Sequence, residues 1–142
     1  MSITDEDDRR PFALVVDDDV LILLDAAEIL ADAGFRPLEA GDADAAEAML
    51  IEYADEIVLL FTDVQMPGSR DGFALARMTS ERWPEIGILV ASGLANPDPG
   101  LLPEGAMFLR KPFHADVIYE RLQVLLPNGV KPEPLKNRVR TH

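Results

Sequence analysis

The feature that most constrains this chain is a set of three apolar runs, at residues 12–16, 57–61 and 86–91, each followed closely by polar residues. None of them alternates polar with apolar positions, so each suits a strand buried on both faces. Segments of good helix formers lie between them. Residues 20–33 are rich in Leu and Ala and stop at Gly34, as a helix with a C-terminal glycine does. Asp42 stands where an N-cap would, ahead of a helix over 43–52. Residues 72–82 read as a helix ended by Trp83-Pro84. Residues 116–126 read as another, with an apolar stripe of Val117, Ile118, Leu122 and Leu125. Shorter strands are expected at 35–38, weak enough to form an edge, and at 106–109. Strands that alternate with helices predict a parallel sheet covered on both faces.

Five strands and five helical slots fit the flavodoxin-like doubly wound α/β fold, a five-stranded parallel sheet of order 2-1-3-4-5. The fourth helical slot should be shortened or irregular, because Pro97, Pro99, Gly100 and Pro103 fall inside it. The 142 residues suit one core. We expect one domain over 11–126, a flexible acidic N-terminus over 1–10, and a basic, proline-containing tail over 127–142 that is extended or disordered.

Composition excludes several classes of function. There is no cysteine, hence no disulfide framework and no thiolate metal site, which fits a reducing cytoplasm. The first ten residues are polar and acidic, unlike a signal peptide, and no later segment is long enough to span a membrane. A cytoplasmic location is the expectation. The formal net charge is −13. Lys131, Lys136, Arg138 and Arg140 against Glu133 give the tail +3, which leaves −16 on the rest. Such a body repels phosphate backbones, so direct nucleic-acid binding is not expected. It is compatible with a divalent cation or a basic partner.

In an open parallel sheet, ligands bind beyond the carboxyl ends of the strands. Here the first strand ends in Asp17-Asp18-Asp19, the third in Asp63, the fourth in Ser92 and the fifth in Lys111. Taken singly, each has an ordinary reading: helix-capping aspartates, a turn-opening aspartate, a Ser-Gly loop, a Lys-Pro dipeptide. Their convergence on one end of one sheet points to chemistry. Clustered carboxylates repel unless a cation neutralises them. Oxygen ligands on a rigid frame suit Mg²⁺. Lys111 adds a positive charge and Ser92 a hydroxyl donor, and phosphoryl transfer needs little beyond positioning and charge neutralisation.

The segments Leu14-Val15-Val16-Asp17-Asp18-Asp19, Phe61-Thr62-Asp63-Val64-Gln65-Met66-Pro67, Val90-Ala91-Ser92-Gly93 and Leu109-Arg110-Lys111-Pro112-Phe113 resemble the receiver domain of bacterial two-component response regulators. The resemblance runs over residues 12–126. It implies that Asp63 is the phosphoacceptor and that Asp17, Asp18 and Asp63 hold Mg²⁺ (or Mn²⁺) together with the backbone carbonyl of Gln65. It further implies that Ser92 and Lys111 contact the phosphoryl group, that Ser92 and Phe108 form the switch pair, and that Lys111-Pro112 is cis. The implied donor is a sensor histidine kinase or a histidine phosphotransfer protein. The chain itself would not be an enzyme beyond self-directed phosphotransfer and autodephosphorylation.

The sequence departs from that family in three ways. The stretch from Ser92 to Lys111 is shorter than usual, the loop from Met66 to Gly72 is slightly longer, and an effector domain is not expected to follow. These departures suggest a stand-alone regulator, a monomer or weak dimer, that signals through contacts with a downstream protein or serves as a phosphate sink for a kinase. The Ala-rich helices and short fourth slot resemble regulators partnered with alphaproteobacterial sensor kinases. Rival readings are weaker. An aspartyl-phosphate phosphatase needs an acid two residues after its nucleophile, where this chain has Gln65. A P-loop enzyme needs a glycine-rich loop ending in Gly-Lys. A pseudo-receiver that only binds partners predicts a broken acidic site.

Overall fold

The computed structural model describes residues 10–68, 70–93 and 99–138. Its elements run β1 (Phe12–Val16), α1 (Val20–Asp32), β2 (Arg36–Ala40), α2 (Ala43–Tyr53), β3 (Ile57–Asp63), α3 (Gly72–Arg82), β4 (Gly87–Ser92), β5 (Met107–Arg110), α4 (Ala115–Leu125) and α5 (Glu133–Arg138). The five strands form one sheet of order β2-β1-β3-β4-β5, and every pairing is parallel. The flavodoxin-like doubly wound arrangement is therefore present. The chain leaves β1 for β2 on one side and crosses back to β3 on the other, so the strand order reverses between β1 and β3.

The fully apolar strands serve two cores, one on each face. Ala13, Val15, Leu59, Phe61, Leu89, Ala91 and Leu109 point to one side and pack with Leu30 of α1 and Ile118 and Leu122 of α4. Phe12, Leu14, Val16, Leu60, Ile88 and Val90 point to the other and pack with Leu50 of α2 and Leu75 of α3. Successive strand residues alternate faces, so an unbroken apolar run feeds both layers. β2 is the half-exposed edge, and its Pro37 is tolerated there.

Helix starts follow the sequence closely. The side chains of Asp19, Asp42 and Asp71 each accept a backbone N–H in the first turn of α1, α2 and α3. Gly34 follows α1 with φ +106°. In the fourth helical slot, the described residues hold a single 3-10 turn at Pro99–Leu101, while 94–98 lie outside the described residues. The acidic N-terminal segment over 1–9 also lies outside them.

The tail differs from expectation. Residues 127–138 are neither extended nor disordered: a 3-10 turn at Asn128–Val130 leads into α5. Leu135 is fully buried in the α1/α4 core, and its carbonyl accepts from the Gln123 side-chain amide. Composition pointed the other way because prolines and charges dominate the segment. One buried leucine and the space beside Gly34 anchor it. A Cβ on Gly34 would lie 2.5 Å from Cβ of Pro132. Residues 139–142 lie outside the described residues.

Candidate functional site

The site forms at the carboxyl ends of β1, β3 and β5, beside the point where the strand order reverses. β3 carries Asp63 as its last residue, buried at 7% exposure. The residue before it, Thr62, is fully buried and donates its hydroxyl to the Asp63 carbonyl at 2.9 Å. Asp17 directly follows β1 and is also buried. One of its oxygens accepts the Asp19 N–H at 2.9 Å. Lys111 directly follows β5. Its ammonium sits 2.8 Å from Asp63 Oδ1 and 3.0 Å from Asp17 Oδ2. Its backbone N–H donates to the Ser92 carbonyl at 2.9 Å, which ties the cation to the end of β4. The Lys111-Pro112 peptide is cis, as the resemblance implied.

The electrostatics are those of crowded carboxylates with one cation. Burial pushes the Asp63 carboxyl up. The hydrogen bond from Lys111 pulls it back, Asp17 pushes it up again, and the net direction is upward. Burial works against the Lys111 charge, yet the hydrogen bonds and charges of Asp63 and Asp17 outweigh it and hold the ammonium above its ordinary value. Asp17, Asp18 and Asp63 can each offer an oxygen such that all three lie within 4.8 Å of one another. Asp18 is exposed, so the cluster opens to solvent on its side. An all-oxygen, net-negative set on strand ends fits a hard divalent cation such as Mg²⁺.

The structure divides the Asp17-Asp18-Asp19 run by role. Asp19 caps α1, while Asp17 and Asp18 face Asp63. Ser92 is buried at the end of β4, one residue beyond the Asp63–Ala91 pairing. Phe108 is half-buried on β5 and pairs with Val90, so it and Ser92 lie on one face of the sheet. Gln65 is exposed, two residues past β3. Direct contacts thus join Lys111 to Asp17 and Asp63, with Asp18 adjacent, Ser92 and Phe108 on the neighbouring strands, and Gln65 at the margin.

Two residues of the site were not singled out from the sequence. In the sequence Thr62 stands only as part of a strand end. Gly72 marks only a helix start in the sequence, yet its N–H donates to the Val64 carbonyl at 2.8 Å and α3 begins in contact with the Asp63 backbone. A glycine directly after the capping Asp71 was the available signal.

Comparison with known proteins agrees with this geometry. A family model described as "Response regulator receiver domain" matches residues 13–123. The nitrogen assimilation regulatory protein NtrX of Azorhizobium caulinodans is 34% identical over 131 residues, covering 89% of this chain and 28% of that protein. The transcriptional regulatory protein AruR of Pseudomonas aeruginosa is 38% identical over 86 residues, covering 58% of this chain and 34% of that protein. The chain therefore spans well under half the length of these relatives. The solved receiver domain of NtrX from Brucella abortus superposes with a TM-score of 0.70 at 37% identity, covering 80% of this chain and 97% of that one. With its sheet order, its strand-end acidic cluster and a family match over most of its length, this chain belongs to the response regulator receiver domain family.

Proposed function

We propose that Asp63 accepts a phosphoryl group from the phosphohistidine of a sensor histidine kinase or histidine phosphotransfer protein. A carboxylate oxygen of Asp63 attacks phosphorus, the new P–O bond forms as the P–N bond breaks, and the electron pair leaves with the imidazole. Lys111 offsets charge on the phosphoryl oxygens, and the Ser92 hydroxyl turns to donate to one of them. Phe108 then changes rotamer on the face it shares with Ser92, and the altered surface is read by a downstream protein. Mg²⁺ would be held by Asp17, Asp18, Asp63 and the Gln65 carbonyl, and when bound it supplies the further charge neutralisation that phosphoryl transfer needs. The chemistry is self-directed: uptake and later hydrolysis both occur at Asp63.

The observation that carries this reading is the Lys111 ammonium held between the buried carboxylates of Asp17 and Asp63. A protein partner is supported by α1, which leaves Val20, Leu21 and Leu24 exposed just after the acidic cluster. The test is incubation with acetyl phosphate and Mg²⁺, read by intact mass. One added phosphoryl group is expected on the wild type and none on Asp63→Asn. Equal labelling of the two proteins would remove Asp63 from its assigned role.

A further inference from the structure

An ion-pair cluster that the phosphoryl chemistry does not use holds the connection between β3 and α3 from outside. The Arg70 guanidinium contacts both Asp44 and Glu47 of α2, the second at 2.8 Å. Arg82, the last residue of α3, meets the other oxygen of Glu47 at 3.0 Å. One glutamate thus ties α2 to the connection just before α3 and to the last residue of α3. Arg70 and Glu47 are 27% and 29% exposed, so that arm is partly shielded, whereas Asp44 is 78% exposed and its arm is open to water; Arg70 Nη2 serves both carboxylates. Exposed single pairs contribute little; a nitrogen shared between two carboxylates, one of them partly shielded, restricts geometry more.

The cluster sits at the functional end of the sheet. Asp44 is in the first turn of α2, which starts just after β2, and β2 runs parallel to β1 towards Asp17 and Asp18. Arg70 belongs to the same connection as Gln65. That connection is fixed at its two ends: Val64 N–H donates to the Ala91 carbonyl at 3.2 Å, and Gly72 N–H to the Val64 carbonyl at 2.8 Å. Gln65 itself is exposed, so burial does not set its orientation.

We infer that Arg70 is a positioning residue for the metal site. By clamping the connection to Asp44 and Glu47, it holds the Gln65 carbonyl towards the acidic cluster and thereby sets the affinity for Mg²⁺. The inference rests on the reading above that Gln65 contributes its carbonyl. Charge alone predicts the opposite sign: removing a cation from so acidic a chain makes the local potential more negative and should tighten a divalent cation.

The sign is what the experiment reads. Mg²⁺ is titrated by calorimetry into the unphosphorylated full chain as wild type, Arg70→Ala, Arg70→Lys and Arg82→Ala, with melts in chelator to establish folding. Arg70→Ala should bind Mg²⁺ about ten-fold more weakly, the lower end of what partners that orient a ligand are worth. Arg70→Lys should fall between, because its ammonium sits one bond short of Arg70 Nη2, the single nitrogen that meets both Asp44 and Glu47. Arg82→Ala loses the same charge and a Glu47 contact of its own, away from Gln65, and should bind as tightly as wild type or slightly tighter. Equal or tighter binding by Arg70→Ala overturns the inference, as does equal weakening by Arg82→Ala, which would mean general loosening of α2 against α3. Should Arg70→Ala fail to fold, Arg70→Lys decides alone, and wild-type affinity overturns the clamp. A wild type that takes up no Mg²⁺ removes the metal reading and the clamp together, whereas wild-type uptake unchanged in the variants removes only the clamp.

Discussion

A Cβ placed on Gly72 would lie 1.9 Å from the carbonyl oxygen of Asp63. The first turn of α3 therefore rests directly on the backbone of the proposed phosphoacceptor, with no room for a side chain. Gly72→Ala must push backbone against backbone. Overpacking of this kind costs roughly 1–3 kcal/mol, and the upper part of that range is expected, since no flexible side chain can yield. Urea unfolding gives the measurement, and a change under about 0.5 kcal/mol would contradict the close contact. Labelling by acetyl phosphate should slow as well, because Asp63 has to shift.

The upward shift of Asp63 has a defined pH signature. A group whose folded value is raised contributes stability that is present below its unfolded value, about 3.9 for Asp, and lost as pH rises through the folded value. Burial is the first cause here and the nearby Asp17 adds to it, against the pull of Lys111. In chelator, the stability of wild type relative to Asp63→Asn should fall progressively over the range above about pH 4. Urea midpoints across that range provide the check. Parallel curves for the two proteins would show that ionising Asp63 costs the fold nothing.

Mg²⁺ should stabilise the native state, because Asp17, Asp18 and Asp63 bring three carboxylates within ligand distance of one another. A ligand at about 100 times its dissociation constant adds roughly 2.7 kcal/mol when only the native state binds it. Melting midpoints with and without millimolar Mg²⁺ should separate for wild type and coincide for Asp18→Ala. Asp18 suits the test because it is exposed and outside the Lys111 ion pairs, so its removal disturbs the apo fold least.

Leu135 is fully buried although it lies beyond the family match, which ends at residue 123. Leu135→Ala should therefore cost about 2–5 kcal/mol, the range for a buried leucine truncation, with the lower end expected because so short a helix can resettle. Denaturant unfolding measures it. A loss within the scatter of surface substitutions would mean that the tail does not share the core.

The sequence alone carried the sheet and most of the site. Runs such as residues 57–61, apolar without alternation and too short for a typical helix, suit strands buried on both faces, and their ends are points that a one-dimensional reading locates directly. Asp17, Asp63, Ser92 and Lys111 were legible for that reason, and the parallel topology brought them to one edge. Tertiary structure decided what depends on the space between elements. It separated Asp19, turned into its own helix as a cap, from Asp17 and Asp18, which turn towards Asp63. It made Gly72 obligatory through a close backbone approach that no local pattern records. It also seated residues 127–138, where composition argued for a solvated chain, by placing one leucine between α1 and α4 and two prolines beside Gly34. Periodicity reports which face of an element is apolar. Which surface meets it, and how closely, is settled only when the elements pack.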